Sequence, residues 1–185
     1  VSTVGKKLIT AEEFYALPEP ADGTRLELVR GEVVAVSRAN WEHGEIAGNV
    51  YMLIKLFLRG NPIGRVTVEG GVLTERGPDT VRGPDASFMS RERMPLGERM
   101  NRFADQTPDL CVEVVSPSNT RRQLDDKVKE YFFTGCRLVW VIDPDERSVT
   151  VYTEPMEGRV LKGDKTLDGG DVLPGFSCKV ADLFA

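Results

Sequence analysis

Glu113 lies inside the run Pro108-Asp109-Leu110-Cys111-Val112-Glu113-Val114-Val115, in which five of the eight residues are apolar. Such a run reads as a buried strand, and an ionised carboxylate inside one is costly unless a metal, a cation or hydrogen bonds compensate it. Side chains alternate along a strand, so Asp109, Cys111, Glu113 and Val115 share one face while Leu110, Val112 and Val114 take the other. A second carboxylate, Asp85, opens the apolar stretch Ala86 to Met89 and is placed to sit at the mouth of a neighbouring strand. Two strand-borne carboxylates that converge with further oxygens suit a hard divalent ion such as Mg²⁺, which keeps several waters and accepts a phosphate as a ligand. The plainer alternative for Glu113 is an ion pair with an arginine at a strand end.

The other Pro-Asp dipeptides dilute that signal. Asp79 and Asp145 read as turn residues, and Asp109, at the start of its strand, reads as a cap or turn. Glu27 alternates with Leu26 and Leu28, which fits either a functional carboxylate or an acid on the wet face of a strand. His43, the single histidine, falls in the first turn of a long helix, as a base, a phosphate contact or a capping residue. Tyr131 reads as packing at the edge of the core with its hydroxyl available to the site.

These residues need elements to carry them. Thr10-Ala-Glu-Glu13 is a capping box for a short helix that ends by Pro18. Arg25 to Val29 and Glu32 to Val36 read as a hairpin turning at Arg30-Gly31. Ile46, Val50, Leu53, Ile54 and Phe57 recur at helical spacing from Trp41 to Leu58, with Asn40 as N-cap. Strands are predicted at Arg65 to Glu69, Val72 to Thr74, Asp85 to Met89 and 108 to 115, then a helix from Arg122 to Phe133 stopped by Gly135, then strands Leu138 to Ile142 and Val149 to Tyr152. Gly77 to Pro84 and Asp168 to Gly175 read as loops, and the tail as a loop with a final turn of structure. The pattern predicts a mixed α/β (α+β) fold, a sheet core flanked by helices, in a single domain over residues 1–185.

Composition narrows the function. The 185 residues carry 24 basic and 29 acidic side chains, a net charge of -5, so no global basic field coats nucleic acid. Cys111, Cys136 and Cys178 are odd in number and widely spaced, which argues against a disulfide framework or a zinc site and for a reducing cytoplasm. No apolar run reaches the roughly 18 residues of a membrane span, and Val1 to Leu8 lacks the apolar core of a signal peptide.

The Pro84-Asp85 strand, Glu113 within Pro108 to Ser118, Lys127 four before Tyr131, and Val139-Trp-Val-Ile-Asp-Pro144 resemble the Uma-type putative restriction endonuclease family of the PD-(D/E)XK nuclease superfamily. Arg25 to Glu32 resembles that family's N-terminal hairpin, and His43, Ile46 and Asn49 its long helix. Leu173-Pro-Gly-Phe176 with Leu183-Phe184 resembles its ending, so the likeness runs over roughly residues 8 to 184. The resemblance implies a restriction-endonuclease-like fold in which Asp85 and Glu113 bind Mg²⁺, with Mn²⁺ able to substitute, and Glu27 adds a carboxylate.

It also implies a lysine that stabilises charge at the scissile phosphate. The residue two after Glu113 is Val115 instead of lysine, and the family's helix lysine maps to Lys127. On its helix Lys127 edges the apolar stripe, so its stem can pack while its ammonium reaches the site, whereas Lys129 lies on the opposite edge. The family often carries an Asp four before this lysine, where this chain has Gln123. Arg121, Arg122, Lys127, Lys129 and Arg137, opposed by Asp125, Asp126 and Glu130, leave a small positive surplus that suits phosphate guidance, although a charge-mixed helix face is the commoner explanation of such a pattern.

The expectation is therefore a Mg²⁺-dependent endonuclease-like phosphodiesterase acting on nucleic acid, with DNA the expected substrate. Asp85, Glu113 and Lys127 are its catalytic set, and His43, Tyr131 and Gln123 support them. A symmetric homodimer would match the antiparallel strands of a duplex. The rival from another class is a noncatalytic nucleic-acid- or protein-binding module on a nuclease-like fold, favoured by the acidic charge, Val115 and Gln123. A third is a structural oligomer with a buried ion-pair network at these residues.

Overall fold

A computed structural model describes residues 7–36, 39–117 and 119–185. The N-terminal helix α1 (Ala11–Tyr15) starts where the capping box puts it, the Thr10 hydroxyl accepting from the Glu13 N–H and the Glu13 carboxylate accepting from the Thr10 N–H. The hairpin β1 (Arg25–Val29) and β2 (Glu32–Val36) follows. Arg30 and Gly31 both have positive φ, the two-residue turn whose twist matches that of the strands. A Cβ on Gly31 would meet the Leu8 side chain at 2.8 Å, so only glycine lets the preceding chain pass there.

Helix α2 (Trp41–Gly60) is capped by Asn40, whose side chain accepts from the His43 N–H. Strands β3 (Gly64–Val68), β4 (Val72–Glu75), β5 (Thr80–Arg82), β6 (Ala86–Ser90) and β7 (Leu110–Val114) come next. Helix α3 (Arg121–Phe133) is capped by Thr120 and Gln123, and Gly135 beyond its end takes the positive φ that stops it. Strands β8 (Leu138–Asp143), β9 (Ser148–Tyr152), β10 (Gly158–Lys162), β11 (Thr166–Gly169) and β12 (Leu173–Lys179) complete the chain with a 3-10 helix over Val180–Phe184.

The fold is a mixed α+β architecture. Its main sheet has the order β10-β9-β8-β7-β6-β3; only β7 and β8 run parallel, joined through α3 as a crossover. A four-stranded antiparallel sheet, β2-β1-β5-β4, and the β11-β12 ribbon flank it. The alternation along β7 sorts its side chains into two layers. Leu110, Val112 and Val114 pack with Ile46, Val50 and Ile54 of α2, while Cys111 packs with Leu124, Val128 and Tyr131 of α3. Glu113 is therefore aimed at α3. No helix among the described residues is long and apolar enough to cross a membrane.

Two loops expected from the sequence are strands. Gly77 to Pro84 contains β5, a three-residue strand with one apolar side chain, held by pairing to β1 on one side and β4 on the other. Asp168 to Gly175 and the tail contribute to β11 and β12, and β10 lies in a stretch to which no element was assigned. Pro174 and Gly175 interrupt the strand signal of β12, and both are tolerated because this strand pairs on one side only, with β11.

Candidate active site

The chain passes from the four-stranded sheet to the main sheet through Gly83-Pro84-Asp85, between β5 and β6. Ala86 pairs with Val112, so Asp85, one residue earlier, comes level with Glu113, one residue later. The Val114 N–H donates to Asp85 Oδ2 at 2.7 Å and fixes that carboxylate against β7. At these strand ends lies a cleft of about 430 Å³ lined by both acids and by Glu27, His43, Gln123 and Lys127, among others. Residues 100 sequence positions apart, Glu27 and Lys127, thus share one wall.

Glu113 is buried and uses both oxygens. The Tyr131 hydroxyl donates to Oε1 at 2.5 Å, and Lys127 Nζ donates to Oε2 at 3.0 Å. Burial raises the Glu113 pKa, as do the charges of Asp85 and Glu27, against the opposing pull of Lys127 and the Tyr131 hydroxyl. Burial also pushes the Tyr131 hydroxyl well above its ordinary value, so it stays a proton donor to Glu113. Burial opposes the charge on Lys127, but Glu113 and Glu27 outweigh it and hold the ammonium up at about 12.

Asp85 is buried too, yet stays below the usual carboxylate range, because His43, the Val114 N–H and Arg25 together outweigh desolvation. His43 Nε2 lies 3.1 Å from Asp85 Oδ2, and Arg25 Nη1 lies 3.4 Å from Oδ1. Burial lowers the His43 pKa, and the Asp85 carboxylate more than reverses that. Its other nitrogen, Nδ1, is buried with no hydrogen-bond partner among the described residues.

Glu27 is buried as well, which excludes the wet-face alternative for it. Its Oε2 accepts from Arg82 Nη1 at 2.8 Å and its Oε1 from Lys127 Nζ at 3.3 Å. Desolvation of Glu27 is overcome by these two cations, and its pKa is lowered.

Asp85, Glu113, Lys127, Glu27, His43 and Tyr131 therefore meet at one place. Gln123 lines the cleft, but its side-chain oxygen is turned to the Thr120 N–H and hydroxyl, at 2.8 and 2.9 Å, where it caps α3. Lys129 does not line the cleft. The positive surplus of the segment disperses: Arg121 and Arg122 face Asp125 and Asp126 along the helix, and Arg137 lies by Asp109 at the far end of β7. Asp109 also accepts from the Ser90 N–H and pairs with Arg93, so its work is to tie β6, β7 and a loop together.

Three residues of this network carried no assignment from the sequence. Arg82 grips Glu130 through Nε at 2.9 Å and Nη2 at 2.6 Å while its Nη1 holds Glu27. Arg25 donates to the Gly83 carbonyl at 2.7 Å beside Asp85. Period two along β1 puts Arg25 on the face of Glu27, and the spacing of three on α3 puts Glu130 beside Lys127, so both were open to the same periodicity arguments. Arg82 sits on the strand that the pattern missed.

The oxygen donors are hard ones, as Mg²⁺ requires. Asp85 and Glu27 are held ionised, and their charges push against that of Glu113, a repulsion that a cation bound between them would lessen. Among the described residues no three His, Cys, Asp or Glu side chains converge as a ready metal cage. Mg²⁺ is typically bound by one or two carboxylates with water and substrate phosphate completing its shell, so the donor set fits.

The mixed sheet, with Asp85 and Glu113 at the ends of its inner strands β6 and β7, gives the chain a nuclease-like fold. Its structure is similar to that of "a putative nuclease belonging to DUF820" from Anabaena variabilis ATCC 29413, at a TM-score of 0.78 and 24% identity over 95% of this chain and 97% of that one. The sequence pattern of the family Uma2, described as "Putative restriction endonuclease", matches residues 11–181, and the chain belongs to that family. Among curated proteins none matches the chain in sequence. Family and fold together support nuclease function in the general sense.

Proposed function

We propose that this protein hydrolyses nucleic-acid phosphodiester bonds, DNA first among them, with Mg²⁺ or Mn²⁺ held by Asp85 and Glu113 and with Glu27 as a further carboxylate. The observation that carries this reading is the position of Lys127, whose ammonium bridges Glu113 and Glu27 in the cleft that Asp85 also lines. When bound, the metal ion polarises the phosphate and lowers the pKa of a coordinated water. The chain's own residues do the rest. Tyr131 fixes one oxygen of Glu113, His43 and the Val114 N–H orient Asp85, and Lys127 presents a positive charge to the phosphate as negative charge develops. A two-fold homodimer would offer one such site to each strand of a duplex. The three free cysteines suit a reducing, cytoplasmic setting.

A second reading, a noncatalytic binding module, takes its support from the internal pairing of the site, where Glu27, Asp85 and Glu113 each already contact a cationic side chain. Nicking of supercoiled plasmid separates the two. Wild type should nick with Mg²⁺ or Mn²⁺ and not in EDTA, and Glu113→Ala, matched by circular dichroism, should not nick at all. Lys127→Ala should lose activity by roughly 10²-fold or more, while Lys129→Ala keeps it. Nucleic-acid binding that persists in EDTA with no cutting of plasmid or oligonucleotide under any metal would favour the binding module.

A further inference from the structure

Helix α2 buries one side and leaves the other bare. Ile46, Val50, Ile54 and Leu58 enter the core, while Trp41 is 87% exposed, Met52 48% and Leu56 51% on the outward side. Gly44 and Gly48 lie on that side as well, and a Cβ on either would meet nothing within 4 Å. Internal packing therefore does not ask for glycine at these two positions, although glycine weakens a helix interior. Compensation of the helix dipole accounts for an acid near the start and a base near the end. It accounts neither for three large exposed apolar side chains nor for the glycines.

The outward residues are arranged symmetrically about Val50. Counting equal steps in each direction pairs Gly48 with Met52, Gly44 with Leu56, Glu45 with Lys55 and Trp41 with Arg59, and each of these eight is exposed. At 100° per residue all eight fall on one side of the helix, opposite Val50. Every pair is complementary: a large apolar side chain meets a glycine, an acid meets a base, and an indole meets a guanidinium. A pattern that complements its own reversal is what an isologous two-fold interface requires, since residue i then meets j and j meets i.

We propose that the outward face of α2 is a dimerisation surface that packs antiparallel against α2 of a second copy of this chain, with the two-fold axis passing near Val50. Met52 fills the space over Gly48 of the partner subunit, and Leu56 that over Gly44 of the partner subunit. Glu45 comes level with Lys55 of the partner subunit, and Trp41 with Arg59 of the partner subunit. The inference does not rest on the nuclease reading, because none of these residues contacts Asp85, Glu113 or Lys127 and the dimer can be measured without any substrate.

Sedimentation equilibrium of the whole chain tests it. Wild type should sediment at twice the chain mass of 20.5 kDa. Glu45→Lys and Lys55→Glu, each placing like charges level across the axis, should each raise the dissociation constant roughly tenfold at low salt. Mixed in equal amounts, the two variants carry opposite charges at both level positions and should recover the wild-type dimer as a heterodimer. Met52→Arg should give a folded monomer with an unchanged circular dichroism spectrum. A wild type that stays monomeric at about 0.1 mM overturns the proposal. So does a dimer indifferent to all three substitutions, or a mixture no heavier than either charge variant alone.

Discussion

Glu113 is held in place by two contacts of different kinds, and the two can be weighed separately. Tyr131→Phe removes a hydrogen bond to a charged acceptor and leaves Oε1 facing an apolar layer, with an expected cost of about 1.5–3 kcal/mol. Urea unfolding should show it as a lower midpoint at unchanged slope. Lys127→Met removes the cation shared by Glu113 and Glu27 and leaves buried carboxylates short of a partner, for which about 3–5 kcal/mol is expected. Adding Glu113→Gln to Lys127→Met should recover part of that loss, because the charge left without its lysine is then gone. A double variant no more stable than Lys127→Met alone would mean that Lys127 stabilises the fold through the packing of its stem and not through its charge.

At the scale of elements, α1 is tied to the sheet by a small polar latch. The Asp79 carboxylate accepts from the Ala11 N–H at 2.8 Å, and Arg76 holds both Asp79 and Glu12. The Ala11 N–H, and after it the Gly77 N–H and Arg76, lower the Asp79 pKa; Arg76 lowers that of Glu12 from 4.5 to about 2. Both carboxylates bind protons less readily folded than unfolded, so their contribution is complete above about pH 4.5 and is lost as pH falls through the folded values. The protection of α1 amides, taken against the intrinsic exchange rate at each pH, should therefore fall between about pH 4.5 and pH 2 while β7 stays protected; α1 and β7 losing protection together would show that α1 is not a separately held element. Such latches are hard to see in a sequence. The capping box, the hairpin turn, the inward face of α2 and the crossover around α3 were legible because each is set by residues within one turn or one strand. Strand β5 was not, because three residues held by partners on both sides leave no period to count, and with it went Arg82 and its grip on Glu27 and Glu130. Asp85 and Glu113 could be proposed as partners from their strands, with Glu27 and Lys127 added by resemblance. Their meeting point depends on the switch between sheets at Gly83-Pro84-Asp85, a step in three dimensions that period two does not encode.

For the whole molecule the governing fact is that an acidic chain, net charge -5, gathers buried carboxylates at the one place where the proposed reaction brings in a phosphate. Mg²⁺ or Mn²⁺ binding at Asp85 and Glu113 should stabilise the fold by mass action, about 2.7 kcal/mol when the ion stands at a hundred times its dissociation constant. For a chain of this length that corresponds to a rise in Tm of very roughly 5–10 °C. Glu113→Gln should behave differently on both counts. It removes a charge that burial disfavours, and Lys127 keeps its contact with Glu27, so its Tm without metal should lie close to that of wild type. It also removes a hard anionic ligand, so the rise on adding metal should largely vanish. Thermal unfolding of the two proteins in EDTA and across a metal titration gives four curves that decide the matter without any nucleic acid present. Equal metal-induced shifts in both would place the ion away from Glu113, and a strongly destabilised Glu113→Gln in EDTA would make this acid a structural ion-pair partner first.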